Sequence, residues 1–213
     1  MEDSFQHKGL RKKLVEEIRL KGIKDERVLN AIGKVARHLF MDSGFIKFAY
    51  RDQAFPIDAG QSISQPFTVA FQSELLKTEP GQKILEVGTG SGYQAAVLAE
   101  LGVKVFTIER HRELYLKSQM LLNSLNYRVN FFYGDGYQGL PTYGPFDRIL
   151  ITAAAPDIPT VLLDQLKTGG RLVVPVGTGN SQVMTLIEKT GESEYRKTEH
   201  GSFVFVPMLG GKQ

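Results

Sequence analysis

Apolar residues recur at helical spacing through the first forty positions of the chain. Leu10, Leu14 and Ile18 mark one amphipathic helix, and Gly22 is placed to end it. Asp25 is positioned to cap a second helix, whose apolar stripe runs through Val28, Ile32, Val35 and Leu39. Residues Phe45 to Gln65 are rich in turn formers and predict a loop. Pro66 suits the first turn of a third helix with Phe67, Ala70, Phe71 and Leu75 on its inner face. From Lys83 the period changes. Apolar runs at Ile84–Val87, Val103–Glu109, Val129–Tyr133, Phe146–Thr152 and Arg171–Val176 predict strands, with helices over Gln94–Glu100, Leu114–Leu125 and Thr160–Leu166. This alternation predicts a Rossmann-like, doubly wound α/β sheet, mostly parallel, with right-handed crossovers. Gln182–Glu188 and Ser202–Val206 predict strands joined by a polar turn without a helix, an antiparallel hairpin closing one sheet edge. No internal repeat is present. Residues 1–213 therefore read as one domain, with residues 1–66 as a helical and loop extension covering the site and residues 67–213 as the core.

Composition narrows this picture. With 42% hydrophobic and 23% charged residues, the chain can bury a sizeable core. A net charge of +3 gives no nucleic-acid footprint. Cysteine is absent, which excludes disulfides, thiolate zinc sites and cysteine nucleophiles and fits a reducing compartment. The N-terminus has no apolar core of the signal-peptide kind, and no apolar run approaches the ~18 residues a membrane span needs. A soluble cytoplasmic protein without membrane partners is expected, and a monomer is favoured. Arg11, Lys12 and Lys13 alternate with nearby acids and predict a solvated helix face. His7, His38, His111 and His200 are scattered, without an i, i+4 pair or a carboxylate constellation, so no metal site is expected.

Chemistry concentrates at Ile84-Leu85-Glu86-Val87-Gly88-Thr89-Gly90-Ser91-Gly92-Tyr93. In an open α/β sheet ligands bind beyond the carboxyl ends of the strands, and glycines there let the backbone approach closely. Gly88, Thr89, Gly90 and Gly92 form the expected cradle. Glu109 ends the second strand, where a carboxylate can accept both ribose hydroxyls of a nucleoside. Asp135, between Gly134 and Gly136 after the third strand, is placed to accept from an adenine amino group. A tight structural turn would also use such glycines, but three successive strands then deliver ligand chemistry to one edge. Gly90 to Ala95 also satisfies the G-x-G-x-x-A pattern of dinucleotide sites, so a nicotinamide-dependent oxidoreductase stays open. Glu86 opposes it, because a carboxylate before the first glycine would repel a pyrophosphate and attract the cationic end of S-adenosylmethionine. Its plainer role is that of a strand-end acid hydrogen-bonded to backbone. No Ser/Tyr-x-x-x-Lys or other hydride-transfer constellation is evident.

Nearly the whole chain, from Arg19-Leu20-Lys21-Gly22-Ile23 to Phe205-Val206-Pro207, resembles the protein-L-isoaspartate O-methyltransferases. The specific motifs are Gly60-Gln61-Ser62-Ile63-Ser64-Gln65-Pro66, Gly134-Asp135-Gly136-Tyr137-Gln138-Gly139 and Thr152-Ala153-Ala154-Ala155-Pro156. The resemblance implies S-adenosyl-L-methionine as cofactor and isoaspartyl-containing proteins and peptides as partners, the α-carboxylate of the damaged residue being methylated. It implies cofactor contacts from Ser62, Ile63 and Gly136, and substrate contacts from Ala153, Ala154, Ala155, Pro156, Val206 and Pro207. Two positions depart from the family pattern: Ser62 where threonine is expected, and Asp58 where bacterial relatives usually carry glycine. Another carboxyl or small-molecule methyltransferase, and a cofactor-binding interaction module, are the remaining alternatives.

The implied reaction has its own physical logic. An isoaspartyl carboxylate is ionised at neutral pH and needs no general base. Its attack on a sulfonium cancels two charges, so a dry site favours it, and neutral donors orient the carboxylate better than an arginine clamp would. Ser64 can supply such a donor, and backbone N–H groups near Ala153 to Ala155 can add others. Read alone, Ser64 suits an N-cap of the Pro66 helix; with the resemblance it is the expected catalytic residue. The small side chains of Ala153 to Ala155 either leave room for a peptide or let strand and helix pack closely. The absence of Asn-Pro-Pro-Tyr or Asp-Pro-Pro-Tyr after the fourth strand argues against nucleobase N-methylation.

Overall fold

The computed structural model describes residues 2–213. Helix α1 (Phe5–Leu20) starts at Ser4, whose hydroxyl accepts from the His7 N–H at 3.3 Å, and ends into Gly22 at φ +111°. Leu14 and Ile18 are buried, but Leu10 is exposed and Arg11 points inward. The Arg11 guanidinium meets both Asp3 oxygens at 2.8 and 3.1 Å, the Gly33 carbonyl at 2.7 Å and the Tyr50 hydroxyl at 3.0 Å. This corrects the solvated-face expectation for Arg11: a full set of acceptors, invisible in local charge patterning, makes its burial tolerable. Helix α2 (Glu26–Lys34) is capped by Asp25, which accepts from the Arg27 and Val28 N–H groups. Val35 is already extended, so Leu39 sits in a separate 3₁₀ turn (Arg37–Phe40) rather than on a continuing stripe.

The turn-rich segment contains a 3₁₀ helix (Ser43–Phe48) and a small antiparallel pair, β1 (Phe55–Pro56) with β2 (Ser62–Ile63). Helix α3 (Pro66–Leu76) packs against α2 and the sheet and is buried on more than one face. Thr68, Val69, Ala70, Gln72, Ser73 and Leu76 are buried, whereas Phe67, Phe71 and Leu75 are only half-buried. Phe67 and Phe71 instead stack towards Phe203, with ring centroids 6.5 and 5.1 Å away.

The core then runs β3 (Lys83–Val87), α4 (Tyr93–Glu100), β4 (Lys104–Glu109), α5 (Arg112–Ser124), β5 (Val129–Tyr133), β6 (Phe146–Ile151), α6 (Thr160–Asp164), β7 (Leu166–Val176), β8 (Gln182–Lys189) and β9 (Tyr195–Phe203). Spatial order is β5-β4-β3-β6-β7-β8-β9, parallel from β5 to β7 and antiparallel for β7–β8 and β8–β9. Strand alternation feeds two cores. Ile84, Leu150 and Val173 join the α2–α3–α4 side, while Leu85, Ile149, Leu172 and Val174 join the side covered by α6. The last strand lies earlier than expected, over Tyr195–Phe203 instead of Ser202–Val206. At the sheet edge, mostly polar side chains form the ladder, so hydrophobic alternation does not announce it. Beyond it the chain leaves the sheet, with the Phe205 N–H donating to Gln182 Oε1 at 2.9 Å.

Candidate active site at the carboxyl edge of the sheet

Strand order reverses at β3, with β4 on one side and β6 on the other, so the loops after these strands diverge and leave a crevice. Gly88 opens it. Its φ is +98°, its N–H donates to the Ile108 carbonyl at 2.9 Å, and a Cβ there would fall 2.5 Å from Thr152 Oγ1. The Thr152 hydroxyl lies 3.0 and 2.7 Å from the Val87 and Gly88 carbonyls, tying the β3 and β6 loops together. No larger residue fits at Gly88 without moving both loops.

Glu109 faces the same crevice from the end of β4. Its Oε2 accepts from the Gly90 N–H at 2.9 Å and its Oε1 from the His111 N–H at 3.0 Å. Each oxygen is thereby oriented and retains lone-pair capacity for a diol. The resulting cleft is lined by Gly88 to Ser91 and by Ile108 to His111. Gln61 to Ser64 close its front, and Val206 to Leu209 close the opposite side.

The cleft gathers Ser62, Ile63, Ser64, Gly88, Thr89, Gly90, Glu109, Gly136, Ala153, Val206 and Pro207. Six expected site residues lie outside its lining. Glu86 is fully buried; Thr107 Oγ1 donates to its Oε2 at 2.6 Å and stands 2.6 Å from Thr89 Oγ1. Glu86 Oε1 has no partner, and burial, aided by Glu109, pushes the carboxyl up to about 8. Glu86 therefore stands behind the glycine loop and reaches it through two threonine hydroxyls. Gly92, at φ +85°, packs against Leu122 and Ser118 of α5 and starts α4. Asp135 accepts from the Tyr137 N–H at 2.9 Å and the Gly211 N–H at 2.8 Å, so backbone donors already engage both its oxygens. Ala154 and Ala155 are buried, and their N–H groups go to the Val206 and Pro175 carbonyls at 2.8 and 2.9 Å. These two groups serve as packing and registration rather than as free donors. Pro156 is exposed, beyond the rim.

Ser64 is not the cap of α3. The cap position is Gln65, without a side-chain cap bond, and the first-turn N–H of Phe67 donates to Asp52 Oδ1 at 2.7 Å. Ser64 instead stands where the cleft opens into a second groove, lined by Phe67, Phe71 and Phe203 to Val206. Ser62, Ser64, Thr152 and Val206 border both.

The histidines are less scattered in space than in sequence. His7 and His38 stack at 3.8 Å between centroids, and Asp3 completes a group whose ligand-capable atoms lie within 4.8 Å. Arg11 already grips both oxygens of Asp3, and the Tyr50 hydroxyl lies 2.7 Å from His38 Nδ1. Sequence reasoning also missed Tyr93, Gln94, Ile108, Arg110, His111, Met208 and Leu209 in the cleft wall. Arg110 and His111 directly follow Glu109, which was the available signal. Tyr93 and Gln94 looked like ordinary helix residues.

The family model for protein-L-isoaspartate(D-aspartate) O-methyltransferase matches residues 9–213. The chain belongs to this family. It is 57% identical to a protein-L-isoaspartate O-methyltransferase of Christiangramia forsetii over 213 residues, covering 100% of both chains. It is also 57% identical to the Cytophaga hutchinsonii enzyme of that name, covering 99% of this chain and 95% of that one. Among solved structures, one protein-L-isoaspartate O-methyltransferase superposes with a TM-score of 0.85 at 27% identity, covering 94% of this chain; this chain spans only 66% of that longer one. A Plasmodium falciparum structure assigned to the same enzyme class, solved with S-adenosyl-L-homocysteine, gives a TM-score of 0.81 at 25% identity, covering 93% of this chain and 98% of that one. Family membership removes the nicotinamide alternative.

Proposed function

We propose that this protein methylates the α-carboxylate of L-isoaspartyl residues in damaged proteins, using S-adenosylmethionine, at the junction of cleft and groove. The observation that carries it is the position of Ser64, which borders both the nucleoside cleft and the apolar groove. The residues present suit the cofactor. Glu109 offers oriented oxygens to a ribose, and Gly88 to Gly90 leave backbone space beside them. Ile108, Gly136, Ser62 and Ile63 complete the walls around the nucleoside. Bound S-adenosylmethionine supplies an electrophilic methyl group on a sulfonium.

The protein's part is orientation and dryness. Ser64 donates a neutral hydrogen bond to the acceptor carboxylate and so aligns it without overstabilising its charge. Ala153, Val206 and Pro207 confine the peptide, and Phe67, Phe71 and Phe203 give its flanking residues an apolar bed. Excluding water raises the reactivity of the carboxylate, because the step cancels charge. Glu86 supports the glycine loop through Thr107 and Thr89. The N-terminal segment is integral to the single domain: α1 and α2 pack on α3 and α4, and its Gln61 to Ser64 line the cleft. The cysteine-free composition supports a cytoplasmic location, and no helix among the described residues is long and apolar enough to cross a membrane. A monomer suffices, since one chain supplies both walls.

Two peptides of identical composition test the reaction, one carrying L-isoaspartate and the other L-aspartate at the same position. Net charge and atom count are equal, so only the attachment point differs. A misplacement of ~1 Å costs on the order of a hundredfold in rate. Radiolabelled methyl transfer is expected to be strong and base-labile for the isoaspartyl peptide and near background for its twin. Equal labelling of both would overturn the repair assignment.

A further inference from the structure

Two residues that line neither cleft nor groove hold the Ser64-to-Phe67 segment. The first is Arg37, in the 3₁₀ turn after α2 and fully buried. Its Nη1 donates to the Ala49 carbonyl at 2.6 Å, and its Nη2 donates to the carbonyls of Gln53 at 3.0 Å and Ser64 at 3.1 Å. The rings of Phe55 and Tyr93 lie 5.8 and 5.6 Å from the guanidinium carbon. Burial pulls the group down to about 10, which leaves it charged at neutral pH. The second is Asp52, whose side chain is 2% exposed. It accepts from the Phe67 N–H at 2.7 Å, from Gln65 Nε2 at 2.9 Å and from Lys21 Nζ at 2.6 Å.

A buried guanidinium held by carbonyls, with its Nε left unpartnered, is a costly way to gain stability, and an apolar side chain would fill the same volume more cheaply. What the guanidinium does that no apolar group can is span three separate carbonyls with one rigid planar fork. One of those carbonyls belongs to Ser64. Asp52 then holds Gln65 by its side-chain amide and Phe67 by its N–H, so the backbone is pinned at Ser64 itself and again three residues on. We propose that Arg37 and Asp52 are positioning residues for methyl transfer, holding the Ser64 segment in the orientation the acceptor carboxylate needs. This rests on Ser64 being the residue that orients the substrate.

The test compares Arg37→Lys, Asp52→Ala and Ser64→Ala, singly and as double variants carrying Ser64→Ala. Lysine keeps the charge of Arg37 but cannot bridge three carbonyls. Calorimetric titration with S-adenosyl-L-homocysteine counts binding-competent molecules, and kcat and KM for the isoaspartyl peptide are expressed per competent molecule. The expected result is a kcat lowered on the order of ten- to a hundredfold in Arg37→Lys and by a smaller factor in Asp52→Ala. The dissociation constant for S-adenosyl-L-homocysteine should change less than about threefold, since Glu109 and the glycine loop are untouched. In the Ser64→Ala background neither positioning change should lower kcat much further, because both routes act through one hydroxyl. An unchanged kcat per competent molecule in both positioning variants, or losses that multiply in full, would overturn the proposal while leaving Ser64 its role. Wild-type kcat in Ser64→Ala would overturn both. If Arg37→Lys fails to bind S-adenosyl-L-homocysteine, Asp52→Ala decides alone by the same criteria.

Discussion

The Gly90 N–H donates to Glu109 Oε2 at 2.9 Å, so the loop after β3 aims the carboxylate at the end of β4. The two parts of the nucleoside site are one hydrogen-bonded unit. Removing the carboxylate both deletes the ribose acceptor and leaves the Gly90 and His111 donors unanswered. Glu109→Ala is expected to weaken S-adenosyl-L-homocysteine binding by roughly ten- to a hundredfold or somewhat more, from lost charge-assisted bonds of ~1.5–3 kcal/mol. Glu109→Gln should be impaired as well, since its amide N–H₂ would confront one backbone N–H. Calorimetric titration reads both, and a change below about twofold would exclude Glu109 as the ribose acceptor.

Ser64→Ala separates chemistry from folding. Because Asp52 rather than Ser64 receives the first-turn N–H of α3, the ~0.5–2 kcal/mol cost of deleting a cap is not expected. Thermal midpoint should stay within a degree or two of wild type while kcat drops much more than cofactor affinity. A loss of stability with normal kcat would return Ser64 to a structural role.

Glu86 carries a pH signature. Its folded value is raised to about 8 by burial, above its ordinary carboxylate value. The folded protein thus holds a proton that the unfolded chain releases at lower pH. The corresponding stability is intact below the ordinary carboxylate range and is lost progressively as pH rises towards 8. Glu86→Gln keeps the shape and removes the titration. In thermal melts across pH 4 to 9, the variant should gain on wild type as pH rises and level off above about 8. A difference independent of pH would show that Glu86 is not protonated in the fold.

Asp58 meets Lys117 Nζ at 2.6 Å, and the same ammonium meets Asp42 at 3.1 Å. All three side chains are at least one-third exposed to solvent, so each pair is worth only ~0–1 kcal/mol and is screened by salt. Asp58→Gly should lower the thermal midpoint only slightly, and the difference should shrink at high salt. KM for an isoaspartyl peptide should move less than about threefold; a larger change would give Asp58 a place in substrate recognition.

Much of this was legible in order along the chain. Capping at Asp25 and the start of α3 at Pro66 are local events, settled by residues within one turn. Apolar strand runs and the glycine loop also depend on neighbours only, so β3 to β6 fell within about a residue of expectation, whereas β7 starts earlier, at Leu166 instead of Arg171. The edge strand β9 escaped because its polar residues are paired by backbone bonds that no side-chain pattern reports.

By itself the sequence determined the parallel α/β core and which short motifs meet at one sheet edge, because these follow from periodicity and from residue types at strand ends; the family came through the resemblance of longer motifs. Only the tertiary structure decided what each motif residue does there. It turned Glu86 away from the cleft, gave the Asp135 oxygens and the Ala154 and Ala155 N–H groups backbone partners, and brought Asp52 to the start of α3 in place of Ser64. It also buried Arg11 and Arg37, which look like surface charges in the one-dimensional pattern. Hydrogen-bond partners distant along the chain decide such roles. A buried polar group must find them somewhere, and where they lie is set by how the elements pack.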